Sequence, residues 1–273
     1  MAGESMAGRK KAPAYLVFDV ETIPDGVLLS RTKFAGQSLS PEKAVEQARA
    51  DALAKSQGKS DFVSLSYCYP VAVSVARVHA DFSLEAITCL DDPEFRPPEI
   101  VADFWRGLAR YDSTLVSFNG RGFDLPVLEM AAFRWGISAP GHFADKFGRR
   151  YRYGEKHLDL QDWMSNHGAA PIAGGLDLLS KLLGKPGKMD TKGSDVWKLY
   201  QQGKIREIND YCMFDVLDTY FVFLRTRVLA GELSLELEQT RMKEAREWID
   251  SQRQKHPHLA KYLKNWGDWK PWL

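Results

Sequence analysis

The segment "AYLVFDVET", residues 14–22, constrains the fold more than any other stretch of the chain. It is an apolar, β-branched run with no polar face, so it reads as a central strand buried on both sides of a sheet. Two acids interrupt it. Asp19 and Glu21 stand two positions apart, and in a strand such residues project to the same side. Carboxylates held that close repel each other unless a cation lies between them, and hard divalent ions such as magnesium or manganese are what carboxylate oxygens select. Taken alone, the two acids fit a solvated strand edge or pairing with Lys or Arg better than a metal site.

With 273 residues and 44% hydrophobic content, the chain is long enough for one large domain with extensions. "PEKAVEQARADALAKSQGKS" reads as a helix and a loop within an insertion spanning residues 27–66. The β-rich runs 71–80 and 84–90 suit an antiparallel hairpin beside the first strand. "EIVADFWRGLARY" has helical spacing, "STLVSFN" returns to strand character, and "LPVLEMAAFRWG" is a helix ended by Gly136. "FGRRYRYGEKHLDL" reads as a basic loop. Shorter helices follow near 176–183 and 194–202, then a long amphipathic helix over 204–229. Residues 231–273 read as a charged helix and a tryptophan-rich tail.

A net charge of +1 means that a nucleic-acid partner must be held by local basic patches. Cys68, Cys89 and Cys212 are scattered, odd in number and without metal-ligand spacing, which fits buried thiols in a reducing cytoplasm. "MAGESMAGRKKAPAY" leads into no apolar signal core, and no stretch has the ~18 apolar residues of a membrane span. The expectation is a cytoplasmic protein without membrane contact, beginning in a disordered segment, residues 1–13.

Two further motifs carry acids. In "SFNGRGFDLPVL", Asn119 and Asp124 flank a Gly-containing turn, and Asp124 stands where the next helix begins, also the ordinary place of an N-cap. In "YCMFDVLDTY", Tyr211 and Asp215 are four apart and share one helix face. Asp215 is flanked by Phe214, Val216 and Leu217, a poor setting for an acid without a counter-charge. Asp218, one turn on, shows that the helix carries acids elsewhere too.

In chain order, Asp-x-Glu at a strand end, Asn-x-x-x-Phe-Asp after another strand and Tyr-x-x-x-Asp on a late helix resemble the DEDD superfamily of 3′→5′ exonucleases, in its tyrosine-bearing branch. "FDVETIPD" and "NGRGFDLPVL" look like the first two motifs of the proofreading exonuclease domain of family-B DNA polymerases. "LDLLSKLLGKPGKMDTKGSDVWKLYQQGKIREINDYCMFDVLDTY" is similar to bacterial stand-alone exonucleases related to that domain. The resemblance covers residues 14–229 and leaves 230–273 outside. It implies an α/β, RNase H-like fold, a mixed five-stranded sheet flanked by helices, with a C-terminal helical extension. It also implies two divalent cations, Mg²⁺ or Mn²⁺, held by Asp19, Glu21, Asp124 and Asp215, with Tyr211 positioning the attacking water. Thr22, Asn119 and Phe123 would then handle the terminal nucleotide.

The stretch around Arg149, Arg150 and Arg152 interleaves charge with Phe147, Tyr151 and Tyr153; such a composition can track a single strand, or be a solvated loop. Lys181, Lys185, Lys188 and Lys192 form a second track of the same kind. His157 and Asp162 show the five-residue spacing of the histidine-bearing branch. They follow the second motif closely and lie on no long helix, so His157 is expected in a loop or cap.

The resemblance implies hydrolysis of single-stranded 3′ ends to nucleoside 5′-monophosphates, with DNA favoured because the first two motifs look polymerase-like. A ribonuclease D-type exoribonuclease shares the acids and the tyrosine. A catalytically inactive nucleic-acid-binding subunit is the reading from another class, and the intact acidic set weighs against it. The stretch after residue 230 is too short for a polymerase, so a stand-alone enzyme is expected. Trp248, Trp266, Trp269 and Trp272 are expected to pack back on the domain, or to meet a second copy or a protein partner, and His256 and His258 to lie exposed in the tail.

Overall fold

The computed structural model describes residues 12–189 and 193–270, the side chain of Ser194 excepted. Most of the N-terminal segment expected to be disordered, and Lys192 and Trp272, lie outside the described residues. The apolar run forms strand β1 (Tyr15–Pro24). Helices α1 (Gly26–Arg31) and α2 (Pro41–Lys55) follow, capped by Asp25 and Ser40, whose side chains accept from Leu28 N and Lys43 N. Such caps satisfy amides that have no partner within the helix. Strands β2 (Cys68–Val78) and β3 (Leu84–Cys89) make the expected hairpin. Next come α3 (Pro97–Arg110), β4 (Thr114–Ser117) and α4 (Asp124–Trp135), the last ending at Gly136.

The basic stretch after α4 is more structured than its composition suggests. It holds the short helix α5 (Pro140–Phe143), the three-residue strand β5 (His157–Asp159) and α6 (Leu160–Met164). His157 is therefore a strand residue, not a loop or cap: it is buried and its Nε2 lies 2.8 Å from Ser117 Oγ on β4. Beyond it are α7 (Gly175–Leu182), α8 (Val196–Gln201), α9 (Ile205–Leu229), α10 (Leu235–Ser251) and α11 (Leu259–Lys264).

The five strands form one mixed sheet in the order β3-β2-β1-β4-β5, antiparallel across β3, β2 and β1 and parallel across β1, β4 and β5. With helices against it, this is the α/β, RNase H-like architecture. β1 lies at its centre. Its two sets of side chains meet different helices: Phe18 packs 5.3 Å from Phe104 of α3, and Tyr15 lies 4.9 Å from Phe223 of α9. The acids belong to the set that faces α9.

Helix α9 is buried on nearly all sides between Ile208 and Leu224, where an amphipathic helix with one wet face was expected. The tail covers that face. Met242, Ala245 and Ile249 of α10 and Leu259 and Tyr262 of α11 share the main core with the sheet. Trp266 meets Phe221 edge-on at 5.0 Å, and Arg225 lies 4.3 Å over Trp269. His256 is buried rather than exposed, and His258 Nδ1 sits 2.7 Å from Asp210 Oδ1. The segment between β1 and β2 has a small core of its own, with Leu29, Phe34, Val45 and Val63.

Candidate active site

The register of β1 against β2 shifts between Glu21 and Thr22, because Glu21 pairs with Ala72 and Thr22 with Pro70, leaving Val71 extra. Such a bulge re-aims side chains at the end of a strand. Asp19 and Glu21 project from β1 just before it. Asp215 reaches them from α9, and one carboxylate oxygen from each of the three lies within 4.8 Å of the others. The Cys212 Sγ, on the same helix, lies 3.3 Å from the Asp19 carbonyl and ties α9 to β1 at this level. Tyr211, one turn before Asp215, is within hydrogen-bonding reach of its carboxylate.

Asp124 approaches from the other side. It is the first residue of α4, and Phe123, not Asp124, occupies the cap position. It stands outside the 4.8 Å group but close enough for its charge to act on Asp19. The turn that delivers it is held by a residue the sequence reading passed over. Buried Asp159, at the end of β5, accepts from Asn119 N and Arg121 N at 2.9 Å each and caps α6 through Gln161 N and Asp162 N. The signal was present in "HLDLQD", an acid between a strand and a helix start. Gly120 is required in this turn, because a Cβ there would overlap the Ser117 side chain and stand 3.3 Å from Asp124 Oδ2.

Burial dominates the electrostatics. Asp19 and Glu21 are both held well above the ordinary carboxyl range, first by desolvation and then by the neighbouring acids. Desolvation also pushes Asp124 up to about 8, with the amides of Asp124 and Val20 drawing it back. Asp215 rises to about 6 through desolvation, opposed by Tyr211 and Lys188. Desolvation, then the charges of Asp215, Glu21 and Asp19, lift the Tyr211 hydroxyl well above its ordinary value of 10.0. Asp19 Oδ2 and Asp124 Oδ1 are buried and have no hydrogen-bond partner among the described residues. Orphaned buried carboxylate oxygens, in an all-oxygen donor set, fit hard divalent cations.

A cavity of about 650 Å³ opens beside the acids, lined among others by Glu21, Thr22, Phe123, Lys181 and Lys188. It brings Thr22 and Phe123 together with the cluster. Asn119, with its backbone at φ 68°, lines a neighbouring cleft of about 530 Å³ with Arg149, Arg150 and Arg152. Within that cleft the three arginines are held differently. Arg149 is buried, and its Nη2 donates to the Ser113 carbonyl at 2.9 Å, so it presents no charge to a strand. Arg150 is 3.1 Å from Glu129 and Arg152 2.6 Å from Asp162, and both are tied into the protein's own ion pairs. Asp162 is thereby engaged away from the acidic cluster. The lysine track also divides: Lys185 is buried, 4.0 Å from the Trp266 ring, whereas Lys181 and Lys188 line the cavity, Lys181 in an ion pair with Asp177 at 2.9 Å. Asp218 turns to the tail, accepting from the Tyr262 hydroxyl at 2.5 Å.

A mixed five-stranded sheet that holds converging acids at the end of its central strand defines an α/β protein of the RNase H-like nuclease class. The chain belongs to the family described as a predicted 3′-5′ exonuclease related to the exonuclease domain of PolB, whose model matches residues 60–266. It is thus an enzyme of the 3′→5′ exonuclease kind, a phosphodiester hydrolase acting on nucleic acid, and exonuclease domains of this kind use divalent metals. The match runs through α10 and α11, so most of the tail expected to lie outside the resemblance, residues 230–266, is inside the family's span. Asp19 and Glu21 precede that span, and the fold itself joins them to Asp215. None of the curated proteins compared with the chain matches it. No helix among the described residues is long and apolar enough to cross a membrane.

Proposed function

We propose that the protein removes nucleotides stepwise from the 3′ ends of single-stranded DNA, releasing nucleoside 5′-monophosphates, as a tyrosine-branch DEDD exonuclease. The observation that carries this reading is the convergence of Asp19, Glu21 and Asp215 within 4.8 Å, next to orphaned oxygens of Asp19 and Asp124. Two divalent cations, Mg²⁺ or Mn²⁺, supply activation of water and stabilisation of the leaving oxygen when bound. Asp19, Glu21 and Asp215 would hold one, and Asp124, with Asp19, the other.

The remaining work falls to the chain's own groups. The Tyr211 hydroxyl stays protonated at neutral pH, so it serves as a donor that orients the nucleophile and not as the base. Thr22 and Phe123 border the cavity where a terminal nucleotide would lie, and Lys181 and Lys188 face its phosphates. In this reading residues 14–229 carry the site, with 27–66 inserted, and 230–273 buttress it. The three free, buried thiols suit a reducing cytoplasm, where we take the enzyme to act.

The test is a set of matched DNA and RNA oligomers, each blocked at one end, incubated with Mg²⁺, Mn²⁺ or EDTA. Metal-dependent shortening of DNA from unblocked 3′ ends is expected, abolished in Asp215→Ala. Preferential cleavage of RNA would assign the activity to an exoribonuclease. Stable complexes without cleavage would make the protein a binding subunit, and activity surviving in Asp215→Ala would remove that residue from the site.

A further inference from the structure

We propose that Phe62, carried by the segment between α2 and β2, stacks with Phe123 on the base of the 3′-terminal nucleotide, making this segment part of the substrate site. The proposal deepens the function stated above and rests on it. Phe62 is 49% exposed, while the next residue, Val63, is buried in the segment's small core. The exposure is directed. Phe62 lines the same cavity as Glu21, Thr22 and Phe123, and its ring centre is 5.7 Å from that of Phe123.

The segment fixes the backbone that carries this ring, whose one aromatic neighbour is Phe123. Ser56 Oγ donates to the Ser60 carbonyl at 2.6 Å and accepts from Ser60 N at 2.9 Å; Ser60 Oγ accepts from Phe62 N at 3.2 Å. Arg49 Nε donates to Asp61 Oδ2 at 3.0 Å. A side chain fixed in advance loses little freedom on binding. The cavity also has the polarity of a nucleotide. Phe62 and Phe123 give it an aromatic wall, Lys181 of α7 and Lys188 beyond that helix give it cations, and Glu21 opens onto the acids. Its volume of about 650 Å³ falls within the ~300–1,000 Å³ of ligand pockets. A base can lie against these rings only when unpaired and unstacked, so the aromatic wall selects single-stranded ends.

The test uses oligonucleotides whose 3′-terminal nucleotide either carries its base or is abasic, with dissociation constants measured by fluorescence anisotropy in Ca²⁺ and shortening followed in Mg²⁺. Wild type should bind the normal end about tenfold more tightly than the abasic one, which is about 1.4 kcal/mol and within the range for stacking of a base on an aromatic side chain. Phe62→Ala should bind the normal end several-fold more weakly than wild type and the abasic end equally well, keeping only the part of the preference that Phe123 supplies, and Phe62→Trp should restore the full preference. Equal discrimination by wild type and Phe62→Ala overturns the proposal. If wild type binds with the expected preference but shortens neither oligomer, the nuclease reading falls and the stacking role stands. If wild type binds neither, both fall.

Discussion

Asp215→Asn separates what the acidic site costs the fold from what it does. Asp215 is buried beside Asp19 and Glu21, and its carboxyl is lifted from 3.8 to about 6. A folded-state value above the unfolded one means that stability is complete below about pH 4 and is lost as pH rises through about 6. At 1.36 kcal/mol per tenfold change in acidity, the loss is on the order of 3 kcal/mol. Asparagine has nearly the same shape, cannot ionise and still offers Tyr211 an acceptor. The metal-free variant should therefore be more stable than wild type by on the order of 3 kcal/mol at pH 8 and equal to it at pH 4. For a chain of this size ~2–4 °C accompany each kcal/mol, so thermal melts in EDTA at pH 4, 6 and 8 resolve the difference. Added Mg²⁺ should raise the melting temperature of wild type more than that of the variant, because a ligand stabilises the state that binds it. A variant less stable than wild type at pH 8 in EDTA, or a gain that does not change with pH, would refute the reasoning.

Gly120→Ala forces a methyl group against Ser117 and towards Asp124; a stability loss of about 1–3 kcal/mol in urea titrations should accompany a fall in nuclease activity. Tyr211→Phe should lower kcat by less than ~100-fold and leave substrate affinity intact, because a positioning hydroxyl contributes less than the 10²–10⁴ of full acid–base catalysis; a larger loss together with an altered pH profile would make Tyr211 the base. Arg225→Met strands Glu238, which is wholly buried and held at 2.6 and 2.9 Å by the Arg225 guanidinium. Breaking such a pair costs about 3–5 kcal/mol, readable as a shift of the urea midpoint.

The elements that place the acids were legible because each repeats a period. β1 shows an apolar run with acids at i and i+2, and α9 shows Tyr211 and Asp215 one turn apart, so both sets of side chains follow from backbone geometry. β5 was not legible, since three residues are too few to show alternation and His157–Asp159 become a strand only by pairing with β4. Arg149 misled for a related reason. Composition places an arginine in a basic loop at the surface, and only the fold supplies the Ser113 carbonyl that draws it inward. Phe62 and Asp159 meet residues about forty or more positions away; "HLDLQD" marks Asp159 as a helix cap, but no local pattern marks its distant partners or those of Phe62. The wet face predicted for α9 failed because its cover comes from the tail, whose own helices looked merely charged.

The burial of α9 bears on the site as much as on stability. Asp215 is held against Asp19 and Glu21, acids that raise one another's cost of ionisation, so in the metal-free protein an unrestrained helix would relax by moving Asp215 away. Four contacts oppose that movement at successive levels of the helix. Cys212 Sγ meets the Asp19 carbonyl, Asp218 accepts from Tyr262, the Tyr220 hydroxyl donates to the Phe82 carbonyl at 2.8 Å, and Arg225 grips Glu238. Two of the four partners, Tyr262 and Glu238, belong to the tail. A binding site is most effective when its groups are held in the bound geometry beforehand by packing and hydrogen bonds around them. Repulsion among the acids and clamping of α9 are therefore two halves of one arrangement. The tail supplies stability that offsets the buried charge, and so keeps three carboxylates from separate elements within reach of a single ion.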